Sequence, residues 1–187
     1  MVQEIKSLDS LINKMSFDLV NNNIVDEKQI NKMLGVLSND GVYAWWVYTK
    51  KELSWKFVCN ADMFKRYPLV NLLLLLDGLN FLFDYPIFND DTINKICEKQ
   101  SNIEKLLSEI ESLKNKQKKV DKNKKREINT QIKNNNDEIK KLNSEQNDLM
   151  DKFFHVLSEN LPSLLFFRKV LEKILIYARY HAKAMEE

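Results

Sequence analysis

The chain has 187 residues and a mass of 22.2 kDa, the size of one domain or of one domain with an appendage. It holds three Gly and three Pro. All-β folds need many turn residues and doubly wound α/β folds need Gly-rich loops, so both are nearly excluded and an all-α fold is expected. A composition 44% hydrophobic and 30% charged suffices for a core and is unlike that of a disordered chain. With 29 basic and 27 acidic residues the net charge is +2, so there is no global pull toward nucleic acid, and any such role must rest on local patches.

Cys59 and Cys97 form neither a metal-binding spacing nor a disulfide framework, which points to a free-thiol intracellular protein. The first residues, Met1 to Ile5, lack a basic region followed by an apolar stretch, so a secretory signal is not expected. The longest apolar run, Leu72 to Leu76, is far short of the ~20 residues of a membrane helix. A cytoplasmic location is the expectation.

In chain order, residues 1–22 read as an amphipathic helix, with Ile5, Leu8, Leu11, Ile12, Met15 and Leu19 on one face. Asn21, Asn22 and Asn23 end it by competing for backbone hydrogen bonds. Asp26 caps a second helix carrying Ile30, Met33, Leu34 and Leu37, and the run Ser38-Asn39-Asp40-Gly41 breaks it. The segment Val42 to Lys51 has the β-branched and aromatic content of a strand, but no partner strand is evident, and it reads as a buried helix. A short helix follows over 60–67. Pro68 opens another, from about Leu69 to Phe83, apolar on nearly every side and therefore central to a bundle, and Pro86 closes it.

From Ile87 to Leu161 there is neither Gly nor Pro, and residues 98–150 turn Lys-, Glu- and Asn-rich. Ile103, Leu106, Ile110, Leu113 and Val120 step by threes and fours, with Gln117 as a polar interruption. Ile128, Ile132, Ile139, Leu142 and Leu149 do the same, with Asn135 and Gln146 filling gaps. The phase slips between Val120 and Ile128. A reversal near residues 122 and 123 sets Ile103 opposite Leu142, Leu106 opposite Ile139 and Leu113 opposite Ile132. The expected architecture is a compact helical bundle, residues 1–97 with 151–187, interrupted by an antiparallel coiled-coil hairpin at 98–150. Pro162 starts the last helix, whose apolar face includes Val170, Ile174, Tyr177 and Ala178.

No phosphate-binding loop or nucleophile elbow is present, and an enzyme is not expected. Asp151 and His155 share a helix face, but two groups are too few for a metal site, and His181 is the other histidine. No metal, cofactor or small-molecule substrate is expected. The basic groups are three. The hairpin tip offers Lys118, Lys119, Lys122, Lys124, Lys125 and Arg126, which can grip a phosphate backbone or serve to solvate the helix ends. Lys50, Lys51, Lys56, Lys65 and Arg66 surround Trp45, Trp46, Tyr48 and Trp55, a mixture that can clamp single-stranded nucleic acid, although Trp45 and Trp46 read more naturally as core. The last helix carries Arg168, Lys169, Lys173, Arg179 and Lys183.

Three blocks together resemble the small all-helical subunit of type III-B (Cmr-type) CRISPR RNA-guided effector complexes. They are Ile30 to Gly41 followed by the apolar Val42 to Thr49 ending in Lys50, the Leu-rich Leu69 to Phe83, and the terminal Tyr177-Ala178-Arg179-Tyr180-His181-Ala182-Lys183-Ala184-Met185. Asp40 before the Gly, and Tyr180 where the family has a second arginine, depart from its pattern. The resemblance implies a non-catalytic role in antiviral defence. Such a subunit stacks with neighbouring copies of itself as a minor filament, among other effector subunits, and contacts guide and target RNA through basic side chains. By position Lys50 and Arg179 are the expected contacts, with Lys51, Lys173 and Lys183 adjacent by helical spacing. The alternative class is a helical adaptor whose hairpin docks another protein.

Overall fold

The computed structural model describes residues 7–53, 68–83, 89–118 and 122–186. Among them are six α-helices and no strand, so the all-α class expected from composition is what the chain adopts. The helix expected at 60–67 and the closure at Pro86 lie outside the described residues.

Helix α1 spans Leu8–Asn21; Ser7 caps it, its hydroxyl oxygen accepting from the Ser10 amide at 3.2 Å. It ends in the asparagine run, where Asn23 takes a φ of 51°, a conformation asparagine tolerates. The amides of Ile24 and Val25 both donate to the Leu19 carbonyl and turn the chain toward α2, Glu27–Glu52. Asp26 starts α2 with a reciprocal box: the Gln29 amide donates to the Asp26 carboxylate at 2.7 Å, and the Asp26 amide donates to the Gln29 side chain at 3.0 Å. The break expected at Ser38–Gly41 is present as a kink inside α2 rather than a turn between two helices. Gly41 sits at φ 86°, ψ −173°, a conformation that strains a residue with a side chain.

Helix α3 is Pro68–Asp77, shorter than the expected reach to Phe83. Gly78, a poor helix former, follows directly, and Asn80 donates its side-chain amide to the Asp77 carboxylate, an interaction that competes with helical continuation. A single 3-10 turn covers Asn80–Leu82. Helix α4, Asp90–Gln117, is capped by Asn89 through the Thr92 amide at 2.8 Å. Helix α5, Lys122–Glu159, and helix α6, Leu161–Glu186, are separated at Asn160, whose side-chain oxygen accepts from the Ser163 amide at 3.1 Å. That polar cap, with Pro162 in the first turn, starts α6 without a Gly-containing loop.

The chain divides into two compact units, residues 1–88 with 153–187, and residues 89–152. The second unit takes in α4 from its first turn, ahead of the composition change at 98. In the first unit α6 packs against α1 and α2. Met15, Leu19, Met33, Trp45, Leu72, Leu76, Leu171 and Ile174 meet around one apolar centre to which α1, α2, α3 and α6 all contribute. Trp45 and Trp46 are fully buried, as their core reading requires, and Trp46 stacks on Phe154 at 4.4 Å between ring centroids. The segment from Val42 to Lys51 is helical but not buried all round, since Tyr43 and Val47, one turn apart, are about half exposed at 49% and 48%.

In the second unit α4 and α5 pair antiparallel. Gln117 donates to Asn129 at 2.6 Å, Asn135 donates to Glu109 at 3.2 Å, Lys99 forms an ion pair with Glu145, and Gln146 donates to the Ile96 carbonyl at 3.1 Å. Ile103, Ile110 and Met150 are buried, whereas Ile128, Ile132, Ile139 and Leu142 are half-buried. Among the described residues no helix is long and apolar enough to cross a membrane.

Candidate nucleic-acid interface

The end of α2 carries Lys50 and Lys51, cations that suit the negative pole of the helix. Lys51 is exposed, while Lys50 is half-buried with its Nζ 5.6 Å from the ring centroid of Trp46. Lys50 is therefore held against a core aromatic instead of standing out as a point charge. Its neighbour Tyr48 has its hydroxyl pKa pushed up by burial, and the Glu52 carboxylate one turn on adds to the effect. Lys56, Lys65 and Arg66 lie outside the described residues.

Helix α6 organises the other first-unit candidates. Lys169, Lys173, Tyr177, Tyr180 and Lys183 recur at three- and four-residue steps, and all five are exposed. Tyr177 is 37% exposed, so it borders the apolar face instead of belonging to it as its spacing suggested. On one edge Asp9 of α1 lies 3.5 Å from Lys173 Nζ, and Asn13 and Phe17 of α1 meet His181, the first at 3.2 Å and the second edge-to-face at 5.7 Å. On the other edge, toward α2, Arg168 donates to the Ser38 carbonyl at 2.9 Å. Arg179 shares that edge by helical spacing. It is half-buried, its guanidinium carbon lies 5.6 Å from the Tyr180 ring centroid, and its buried Nε has no hydrogen-bond partner among the described residues.

In the second unit Lys118, Lys124, Lys125 and Arg126 are exposed around the reversal between α4 and α5. Lys119 lies outside the described residues; Lys122 opens α5. The same unit contains Glu145, whose carboxyl is held below the usual range by its hydrogen bond and charge pairing with Lys99. Burial pushes the Cys97 thiol up, which keeps it protonated and a weak nucleophile. Cys59 lies outside the described residues. Among the described residues no cluster of three or more His, Cys, Asp or Glu could hold a metal ion, and His155 is exposed with its ring 5.9 Å from that of Tyr43.

The structure thus sets Lys173 and Lys183 on the exposed face of α6, leaves Arg179 half-buried at the α2 edge of that helix, and sets Lys50 with Lys51 at the end of α2. Sequence reasoning missed Phe17, Lys14 and the pairing of His181 with α1. One signal was available: Phe17 stands off the apolar stripe of α1, whose members Ile12, Met15 and Leu19 are buried. Compared with known proteins, the chain matches no protein-family model, no curated protein and no solved structure.

Proposed function

We propose that the chain is a non-catalytic, RNA-contacting helical subunit of a CRISPR effector complex of the type III-B kind, acting in the cytoplasm in antiviral defence. It lies in a filament of its own copies beside other effector subunits and touches the backbone of guide and target RNA. The observation that carries the reading is the basic side of α6, where exposed Lys169, Lys173 and Lys183 accompany exposed tyrosines, with Arg179 at its edge, on a chain of nearly balanced charge. Local basic patches of this type bind phosphates by counterion release without a large net charge. The order of the three sequence blocks supports the particular assembly.

The test is affinity purification of the tagged full chain from its own host, followed by nuclease treatment and sizing of retained RNA. The reading predicts co-purifying effector subunits and a protected RNA of uniform length. Elution of the chain free of RNA and of such subunits contradicts it.

A further inference from the structure

The outward face of α6 carries more than charge. Phe17 is 41% exposed, Tyr177 37% and Tyr180 60%, three of the six large aromatics left exposed among the described residues of a unit that buries Trp45, Trp46, Phe154 and Phe167. Tyr177 and Tyr180 are three residues apart on one helix face, and Phe17 is tied to the next turn through the edge-to-face contact with His181. Lysines border them: Lys14 is one turn before Phe17, Lys169 and Lys173 precede Tyr177, and Lys183 follows Tyr180, all exposed. The acid within this stretch of α6, Glu172, is half-buried, and Asp9 at the α1 edge is engaged with Lys173. The Arg179 guanidinium lies against the Tyr180 ring, so a cation and a π-face are already ordered side by side.

Such a surface suits one ligand chemistry well. A duplex offers phosphates but hides its base faces, whereas a single strand offers both. Aromatic rings interleaved with cations are the arrangement on which unpaired bases stack while the backbone is neutralised. Resting on the RNA-contacting reading above, we infer that this α1–α6 face is a stacking platform for unpaired RNA bases, with Phe17, Tyr177 and Tyr180 beneath the bases and Lys173, Arg179 and Lys183 beside the phosphates. Contact through stacking is tolerant of sequence, because every base has a π-face.

The experiment is fluorescence anisotropy of the full chain with labelled oligo(A), oligo(U) and a blunt RNA duplex over a salt series. The wild type should prefer both single strands to the duplex. Phe17→Ala and Tyr180→Ala should each weaken single-strand binding by about fivefold or more. Neither should change the salt slope, because no phosphate contact is lost. Tyr180→Phe, which keeps the ring, should bind like the wild type, and Tyr180→Leu, which keeps apolar bulk without a π-face, should bind like the alanine variant. Circular dichroism of each variant should match the wild type, since these side chains are exposed. Single-strand binding that is indifferent to Phe17→Ala and Tyr180→Ala, or equally strong in Tyr180→Leu, overturns the stacking platform and leaves the backbone-contact reading standing. Loss of a protein subunit from the purified particle in Tyr180→Ala, with RNA binding intact, assigns the face to a protein and also overturns it. No binding to any RNA removes both.

Discussion

The two units of this chain solve the problem of helix pairing with different materials. The first uses aromatics: Trp46 against Phe154, Phe153 and Phe154 against Phe167, and Phe83 against Phe153 and Phe167. The second buries Ile93, Ile96, Ile103 and Ile110 of α4, leaves Ile and Leu along α5 half-buried, and spans its two helices with polar bonds, from Gln117–Asn129 to Gln146–Gln100. Burial of large apolar rings supplies stability with little directional demand. Polar groups in a helix seam contribute less net energy, but each must find its own partner, so they select one register. The first unit is therefore vulnerable to lost volume and the second to an orphaned polar group.

The largest effect should follow from emptying the aromatic core. Phe154→Ala removes the ring stacked on Trp46, and a cost of about 3–5 kcal/mol is expected in urea-induced unfolding followed by tryptophan fluorescence. A cost under about 1 kcal/mol would mean that the aromatic cluster does not anchor the first unit.

The polar seam should respond differently to one change and to two. Gln146→Leu removes a buried donor and leaves Gln100, itself only 6% exposed, without that partner, for a cost of about 1–3 kcal/mol. Gln100→Leu combined with Gln146→Leu should recover much of that loss, because both polar groups are then gone. Hydrogen exchange of α4 and α5 amides in the full chain reads this cycle, and strict additivity of the two changes would contradict the coupling. A smaller effect, about 1 kcal/mol, is expected for Asp26→Ala, which removes one half of the box that starts α2.

The smallest effect concerns pH. Glu145 has a folded-state pKa below its ordinary value, so its pairing with Lys99 stabilises the second unit above the unfolded carboxylate pKa. That contribution is lost as the pH falls through the lower, folded value. Titration of the Glu145 side-chain carboxyl by carbon NMR should give a midpoint below that of an unstructured Glu, and Lys99→Met should raise it. An unchanged midpoint would show the ion pair to be absent in solution.

Much of this division could be read from residue spacing. Asp26 and the asparagine run marked the start of α2 and the end of α1 because side-chain caps act locally. Gly41 marked a break because its backbone freedom is a property of the residue alone, although the Asp40-Gly41 pair pointed to a turn and the structure has a kink. Trp45 and Trp46 were legible as core because large aromatic rings gain much by burial, and both are fully buried. The separation of α5 from α6 was less legible, since Asn160 caps α6 without any Gly in the connection. The partner of Gln146 was not legible, because Gln100 is a polar residue in phase with the apolar series of α4 and its partner is identified only when the two helices are paired. The basic residues of α6 were visible as a group. Their setting beside Phe17 was not, because it depends on α1 and α6, nearly the whole chain apart in sequence, meeting at Asn13 and His181.

In the proposed function RNA contact lies on α6 of the first unit. It is tested most directly by measuring the salt dependence of single-stranded RNA binding for two charge-reversed full-length chains, one with Lys173→Glu, Arg179→Glu and Lys183→Glu, the other with Lys118→Glu, Lys124→Glu and Lys125→Glu. The α6 reversal should abolish binding at moderate salt, and the hairpin-tip reversal should leave most of it, with a slope close to that of the wild type. Binding that survives the α6 reversal and is lost with the tip reversal would contradict this placement and move the contact to the second unit.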